Sequence, residues 1–264
     1  MTVHARREPP RFRRVALGRR EQLSPRMVRL TLVGADLEGL TVTQPAASVR
    51  LLIPSNGTRE LIVPIWNGNE FLLADGRRPT IRTFTPRRVD PEVLEVDLDI
   101  VIHRGGFTSE WAETAGPGDP AAISGPGRGY VINRDAPAFY LAGDESAIPA
   151  ISQLLEALPA EIPVQVHIEI AHPDARIALS QHPRATVEWC DLAPGASHGD
   201  ALVAAVVGAE LVAGTRVWVA GEAAAIQRVR RHLFEDRGMA RAHAWLRGYW
   251  KRGRTPDGSP ADEN

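Results

Sequence analysis

The residues with the most chemistry in their pattern lie between Thr80 and Arg88, T-I-R-T-F-T-P-R-R. On a strand, alternation puts Arg82 and Phe84 on one side and Thr83 and Thr85 on the other. A guanidinium offers a fork of donors to phosphate oxygens. A phenyl ring offers a stacking surface, and the Thr85 hydroxyl can bond the edge of a ring. The set suits a ligand with a phosphate and a flat ring system. Taken alone, the stretch reads more simply as an exposed edge strand with solvated arginines.

Two further segments add to it. His103 to Ala112 reads H-R-G-G-F-T-S-E-W-A: a strand end, a glycine turn, and Thr108 or Ser109 placed to cap a helix starting at Glu110. The free N–H groups and positive dipole end of such a helix suit a pyrophosphate. Gly143-Asp144-Glu145-Ser146 and Gly221-Glu222 each follow a short apolar run and precede a helical pattern, which places them where open α/β sheets bind ligands.

The elements that position these residues fall into two groups. Arg13 to Val33 alternates with period two, as in Val28-Arg29-Leu30-Thr31-Leu32, and so does Glu92 to His103. Ser48–Pro54 and Glu60–Pro64 read as further strands, and Met1–Phe12 as a loose arm. Short strands separated by Gly and Pro predict an antiparallel barrel. The clusters Gly116-Pro117-Gly118-Asp119 and Gly125 to Gly129 are turns, and the second lacks dinucleotide-fingerprint spacing.

After Asn133–Pro137 strands and helices alternate. Strands are predicted over Phe139–Ala142, Val164–Ile170, Ala185–Trp189 and Val217–Ala220. Helices are predicted over Ala147–Leu158, Ala201–Val207 and Ala223–Arg237. This order implies a parallel sheet. The predicted architecture is an N-terminal antiparallel β-barrel, residues 1–134, followed by a parallel-sheet α/β domain, residues 135–264. Pro149 fits the first turn of its helix, and Thr255–Asn264 is expected to be disordered.

Composition narrows the function. The chain has 264 residues, 44% of them hydrophobic, and a formal net charge of −1, which suits two globular cores and argues against bulk nucleic-acid binding. Lys251 is the only lysine, so clusters of arginine carry less information here. Cys190 is the only cysteine, which excludes an internal disulfide and a cysteine-ligated cluster within one chain. No signal peptide or bilayer-length apolar run is read, so a soluble, cytoplasmic monomer is expected. His167, Glu169 and His172 do not share one strand face, so no metal site is assigned. A hydrolase elbow is missing.

The motifs together resemble the siderophore-interacting protein family, the FAD-dependent ferric-siderophore reductases within the ferredoxin-reductase-like flavoproteins, over about Arg14 to Arg254. Thr80–Arg88 resembles the family's R-x-Y-T-x-R motif: Arg82, Thr85 and Arg87 match, and Phe84 stands where the family has tyrosine. Stacking survives that change and the phenol hydrogen bond does not. Leu23–Gly34 is similar to the family's opening strand pair. His103–Ala112 resembles the phosphate segment H-G-x-x-G-x-x-S-x-W-A, one residue short before Gly106 and with Arg104 in place of a glycine. Ala142–Ala150 and Trp218–Glu222 resemble A-G-D-E-T-A-x-P-A and W-x-A-G-E, with Ser146 in place of threonine. Trp245–Gly253 resembles the terminal G-Y-W-R-x-G.

The resemblance implies a flavin-binding barrel followed by a nicotinamide-binding α/β domain, with the C-terminal segment returning to the flavin pocket. Cofactor contacts are expected from Arg82, Thr83, Phe84, Thr85, Arg87, Asp99, Val101, His103, Gly106, Thr108, Ser109 and Trp111. In the second domain they are expected from Gly143, Asp144, Glu145, Ser146, Gly221, Glu222, Tyr249 and Trp250. The implied reaction reduces Fe(III) in a ferric siderophore with electrons from NADPH, NADH or reduced ferredoxin through FAD, releasing Fe(II). The alternatives are a flavin-dependent reductase of another small acceptor and a flavin-bearing siderophore carrier. Arg50, Arg128, Arg247, Lys251 and Arg252 are the expected cations for an anionic siderophore. Arg176, His172 and Arg228 are candidates for selecting NADPH.

Overall fold

The structure, a computed structural model, describes residues 11–55 and 58–253. The expectations for residues 1–10 and 255–264 lie outside them; Phe12, assigned to the arm, already opens the first strand.

The first domain is one curled antiparallel sheet. Its strands are β1 (Phe12–Ser24), β2 (Met27–Val33), β3 (Val49–Leu52), β6 (Ile81–Phe84), β7 (Pro86–Asp90), β8 (Glu95–Val101) and β9 (Pro120–Ser124). They lie in the order β6-β3-β9-β1-β2-β8-β7. The two ends of that order are β6 and β7, which are consecutive in the chain with Thr85 alone between them. The sheet must therefore curl until its edges meet at Thr85.

The period-two reading of β2 and β8 holds in the register. Val28 faces Ile100, Leu30 faces Leu98 and Leu32 faces Val96, all buried in the barrel core. The alternate positions pair polar groups: Arg29 grips Asp99 through two bonds of 2.7 and 2.9 Å, and Thr31 donates to Asp97 at 2.6 Å. Cross-strand pairs of both kinds fix the register.

The strand expected over Glu60–Pro64 does not form. Pro64 cannot donate to a ladder, and only Leu61 and Pro64 of this stretch are buried. The next pairing is a separate small hairpin, β4 (Ile65–Trp66) with β5 (Phe71–Leu72). A short helix, α1 (Phe107–Thr114), packs Ala112, Phe107 and Trp111 on the barrel core.

The second domain is a parallel sheet of β10 (Phe139–Asp144), β11 (Val164–Ile170), β12 (Ala185–Asp191), β13 (Arg216–Glu222) and β14 (Ala244–Trp250), in the order β12-β11-β10-β13-β14. Helix α2 (Ile148–Ala157) covers one face, over Phe139, Leu141, Val166 and Ile168. Helices α3 (Asp200–Gly208) and α4 (Ala223–Arg231) cover the other, over Tyr140, Ala142 and Val217. The order reverses at β10, whose neighbours are β11 and β13, and this creates a crevice at the carboxyl ends.

Two readings are corrected. The tail segment is a full fifth strand, β14, in register with β13. Helix α4 stops at Arg231 and continues as a wider π-type turn over His232–Asp236. No described helix is long and apolar enough to cross a membrane.

Polar side chains tie the domains together. Arg26 pairs with Glu145 at 2.8 Å. Arg87 pairs with Glu156 at 2.6 Å and donates to Ser180 at 2.8 Å. Gln153 on α2 donates to the Pro86 carbonyl at 2.6 Å and accepts from the Ala46 N–H at 2.9 Å.

Candidate functional site

The β3–β6 register pairs Leu51 with Arg82 and Val49 with Phe84, so Arg82 and Phe84 share one face, and both are half-buried. Phe84 packs against the barrel core, and the Arg82 Nη1 donates to the Ile81 carbonyl at 3.0 Å. Thr83 stands opposite Arg50 on the outer face. Thr85 is buried at the seam, close to the Tyr249 phenol. Burial, more than any other influence, pushes that phenol up to about 12, so it stays neutral. Arg87 lies apart from this group, engaged with Glu156 and Ser180 across the domain junction.

Helix α1 and β6 both pack on β8. The helix begins at Phe107, not at Glu110, and its N-cap is Gly106 with no side-chain cap. The reason lies in Ser109: its hydroxyl accepts from the His103 N–H at 3.2 Å and faces the Val101 carbonyl at 3.5 Å, so it fastens the preceding strand. Thr108 Oγ1 is buried without any hydrogen-bond partner. The first N–H bonded within the helix is that of Glu110, to the Gly106 carbonyl. An oxyanion at this end would meet the orphaned hydroxyl and unspent backbone donors. These groups therefore fit the pyrophosphate of a dinucleotide.

Gly106 is enclosed by the His103 ring: a Cβ there would lie 2.3 Å from Cε1. A cleft of about 380 Å³ runs from His103 to Phe107, with Glu110 and Glu113 on its outer wall. Trp111 packs inward on the core, and Asp99 is held by Arg29.

At the carboxyl ends of β10 and β13 the acidic residues bind one another's surroundings. Asp144 accepts from the Ser146 N–H at 2.9 Å and hydroxyl at 2.5 Å through Oδ1. Its Oδ2 accepts from the Glu222 N–H at 2.9 Å and the Trp250 indole at 2.7 Å. Burial pushes its carboxyl above the ordinary range, against the pull of those donors. Glu145 holds Arg26 and the Ala171 N–H. Glu222 caps α4 through the Ala225 N–H at 2.8 Å. Gly143 and Gly221 are required by closeness: a Cβ would lie 2.7 Å from the Ala220 carbonyl or from Asp144 Oδ2, respectively. These carboxylates thus build the crevice and anchor the tail, and what they leave for a ligand is backbone and aromatic surface.

The expected cations fall in two places. Arg50 lies over the Phe71 ring at 5.9 Å. Arg128 sits in a turn fixed by the Gly127 N–H on the Ser48 carbonyl, two residues from Arg50. Arg247 lies over the Trp245 ring at 5.3 Å, between Trp245 and Tyr249 along β14, and Lys251 and Arg252 are exposed beyond it. Arg176 and Arg228 are paired with Asp191 and Asp200, and His172 contacts Asp174 at 2.7 Å. Near it in the chain, His167 bonds Tyr140 at 2.8 Å, and Glu169 accepts from the Gly199 and Leu202 N–H groups.

Sequence reasoning missed an aromatic cluster beside Arg50. Phe71 meets both Phe12 and Trp66 edge-on, with centroids 5.1 Å apart in each pair. The available signal was Asn67-Gly68 between Trp66 and Phe71, a hairpin turn flanked by aromatics. His198, 5.5 Å from the Trp250 ring, carried no such signal.

Comparison with known proteins gives a consistent result. The family described as the siderophore-interacting FAD-binding domain matches residues 16–130, and that described as siderophore-interacting protein matches residues 136–253. An uncharacterized protein of Mycobacterium tuberculosis is 34% identical over 89% of this chain and 88% of its own. Ferric vibriobactin reductase ViuB of Vibrio cholerae is 27% identical over 90% of this chain and 89% of its own. The crystal structure of a siderophore utilization protein from T. fusca superposes with a TM-score of 0.83 at 32% identity, covering 94% of this chain and 95% of that one.

Proposed function

This chain belongs to the siderophore-interacting protein family, and we propose that it is an FAD-dependent ferric-siderophore reductase that takes electrons from NADPH or NADH, with reduced ferredoxin as the alternative donor. FAD, when bound, supplies the exchange between a two-electron donor and a one-electron acceptor. Hard oxygen ligands hold Fe(III) far better than Fe(II), so reduction frees the metal.

The observation that carries the reading is the meeting at Thr85. The seam of the barrel, the motif strand and the C-terminal aromatic segment come together there, with Thr85 beside Tyr249. In this reading Arg82 and Thr108 bind the phosphates, and Phe84 lies against the ring system. The Tyr249 phenol brings back a hydroxyl beside a strand position where phenylalanine has none. Asp144, Glu145 and Glu222 act as positioning residues that hold the tail and the domain angle. Arg50, Arg128, Arg247, Lys251 and Arg252 draw an anionic ferric complex toward the opening between domains.

Purified chain is expected to bind FAD, and Arg82→Ala to lose it while keeping its circular dichroism spectrum. Steady-state assays pairing NADH, NADPH and reduced ferredoxin with a panel of ferric siderophores and a ferrous chelator test the rest. Fe(II) should appear with at least one ferric siderophore. Donor oxidation with no ferric complex reduced would assign the chain to another acceptor.

A further inference from the structure

A second cavity, of about 430 Å³, opens where the interdomain linker meets the edge of the parallel sheet. Tyr130, Asn133, Arg216, Ala242, His243 and Trp245 line it. Arg216 begins β13 and Glu222 ends it, so strand rise puts the two about 20 Å apart. The cavity is therefore at the opposite end of the sheet from Asp144 and Trp250.

Arg216 is incompletely used. Its Nη1 donates to the Ala242 carbonyl at 3.0 Å, while its Nε is buried with no partner. Among the described residues no carboxylate pairs with it, and no acidic residue lines the cavity. Trp218, on the same face of β13, also has an indole N–H buried without an acceptor.

The walls are rigid and apolar. Trp245 stacks on Trp218 at 5.2 Å and 9°, and Tyr130 meets Trp245 edge-on at 6.3 Å. The cavity thus combines a guanidinium, an imidazole and an amide with aromatic walls, and its volume lies in the usual range for small-molecule sites.

We propose that this cavity binds a small organic carboxylate, its anion on Arg216 and His243 and its apolar body against Tyr130 and Trp245, as a second ligand site apart from the flavin cleft. A guanidinium that lines a cavity with no acidic partner among the described residues is suited to charge-assisted hydrogen bonding of a carboxylate.

Benzoate is the probe, with neutral benzamide as control, titrated into the FAD-loaded protein by calorimetry. Benzoate should saturate a single site and bind at least about tenfold more tightly than benzamide, the scale of one charge-assisted hydrogen bond. Arg216→Gln and His243→Glu should each weaken benzoate by about tenfold or more and leave FAD content unchanged. The His243 side chain makes no hydrogen bond among the described residues, so the second variant decides the matter if the first fails to fold. Absence of saturation, equal binding of benzamide, unchanged affinity in His243→Glu, or displacement of FAD by benzoate would each overturn the assignment.

Discussion

At the scale of single residues, Thr108 separates stability from function. Its Oγ1 is buried without a partner, and an unmet hydroxyl costs about 1–3 kcal/mol. Thr108→Val keeps the shape and removes that cost. The ligand-free protein should therefore be unchanged or up to about 2 kcal/mol more stable in urea, while FAD affinity falls roughly tenfold. Affinity equal to the parent would show that this hydroxyl does not face the ligand. The hydroxyl was visible in the sequence as one of two capping candidates. Which of the two remained free was not, because the answer depends on Ser109 reaching back to His103 and Val101. Asp144, Glu145 and Glu222 show the same limit. Their positions at strand ends were legible, but their partners, Trp250 and Arg26, lie 106 and 119 residues from Asp144 and Glu145.

At the scale of elements, the tail strand β14 depends on Asp144. One carboxylate oxygen serves both the Glu222 N–H and the Trp250 indole. An amide at this place can accept through only one oxygen, so Asp144→Asn leaves donors unmet at a cost of about 2–4 kcal/mol. The expected result is a lower urea midpoint together with greater quenching of Trp250 by iodide, measured against a Trp250→Phe reference. An unchanged midpoint and unchanged quenching would mean that the tail is held elsewhere. Period-two and β-α-β patterns revealed most elements because each buries a face that the pattern encodes, as at Leu30 opposite Leu98. They failed at Glu60–Pro64, where proline ends the ladder. They also missed β14, whose W-L-R-G-Y-W reads as a motif before it reads as a strand, although Trp245 and Tyr249 pack on one face of the sheet and Leu246 on the other.

At the scale of the whole molecule, the bridges Arg26–Glu145 and Arg87–Glu156 join the two domains. Burial pushes the Glu156 carboxyl up, but bonds from Ser180 and Arg87 outweigh it and leave its pKa below the ordinary 4.5. The folded chain thus releases this proton more readily than the unfolded one. The contribution is complete above about pH 4.5 and is lost as pH falls through the lower folded value. The group is half-exposed, so the effect is under about 1 kcal/mol. Glu156→Gln should flatten the urea midpoint between pH 3 and 5 by about that amount, and identical acid profiles would remove Glu156 from the account. Two-domain order was legible because the sequence period changes near Asn133, whereas the bridges pair residues no local pattern connects. The central claim is that this assembly delivers electrons to siderophore-bound iron. Its most direct test is a single-turnover experiment without oxygen, in which FAD-loaded, prereduced protein is mixed with a ferric siderophore and a ferrous chelator. The account predicts close to two Fe(II) per bound FAD, with slower release when Arg50 and Arg128 are reversed in charge; no Fe(II) from any ferric siderophore offered to fully reduced protein would contradict it.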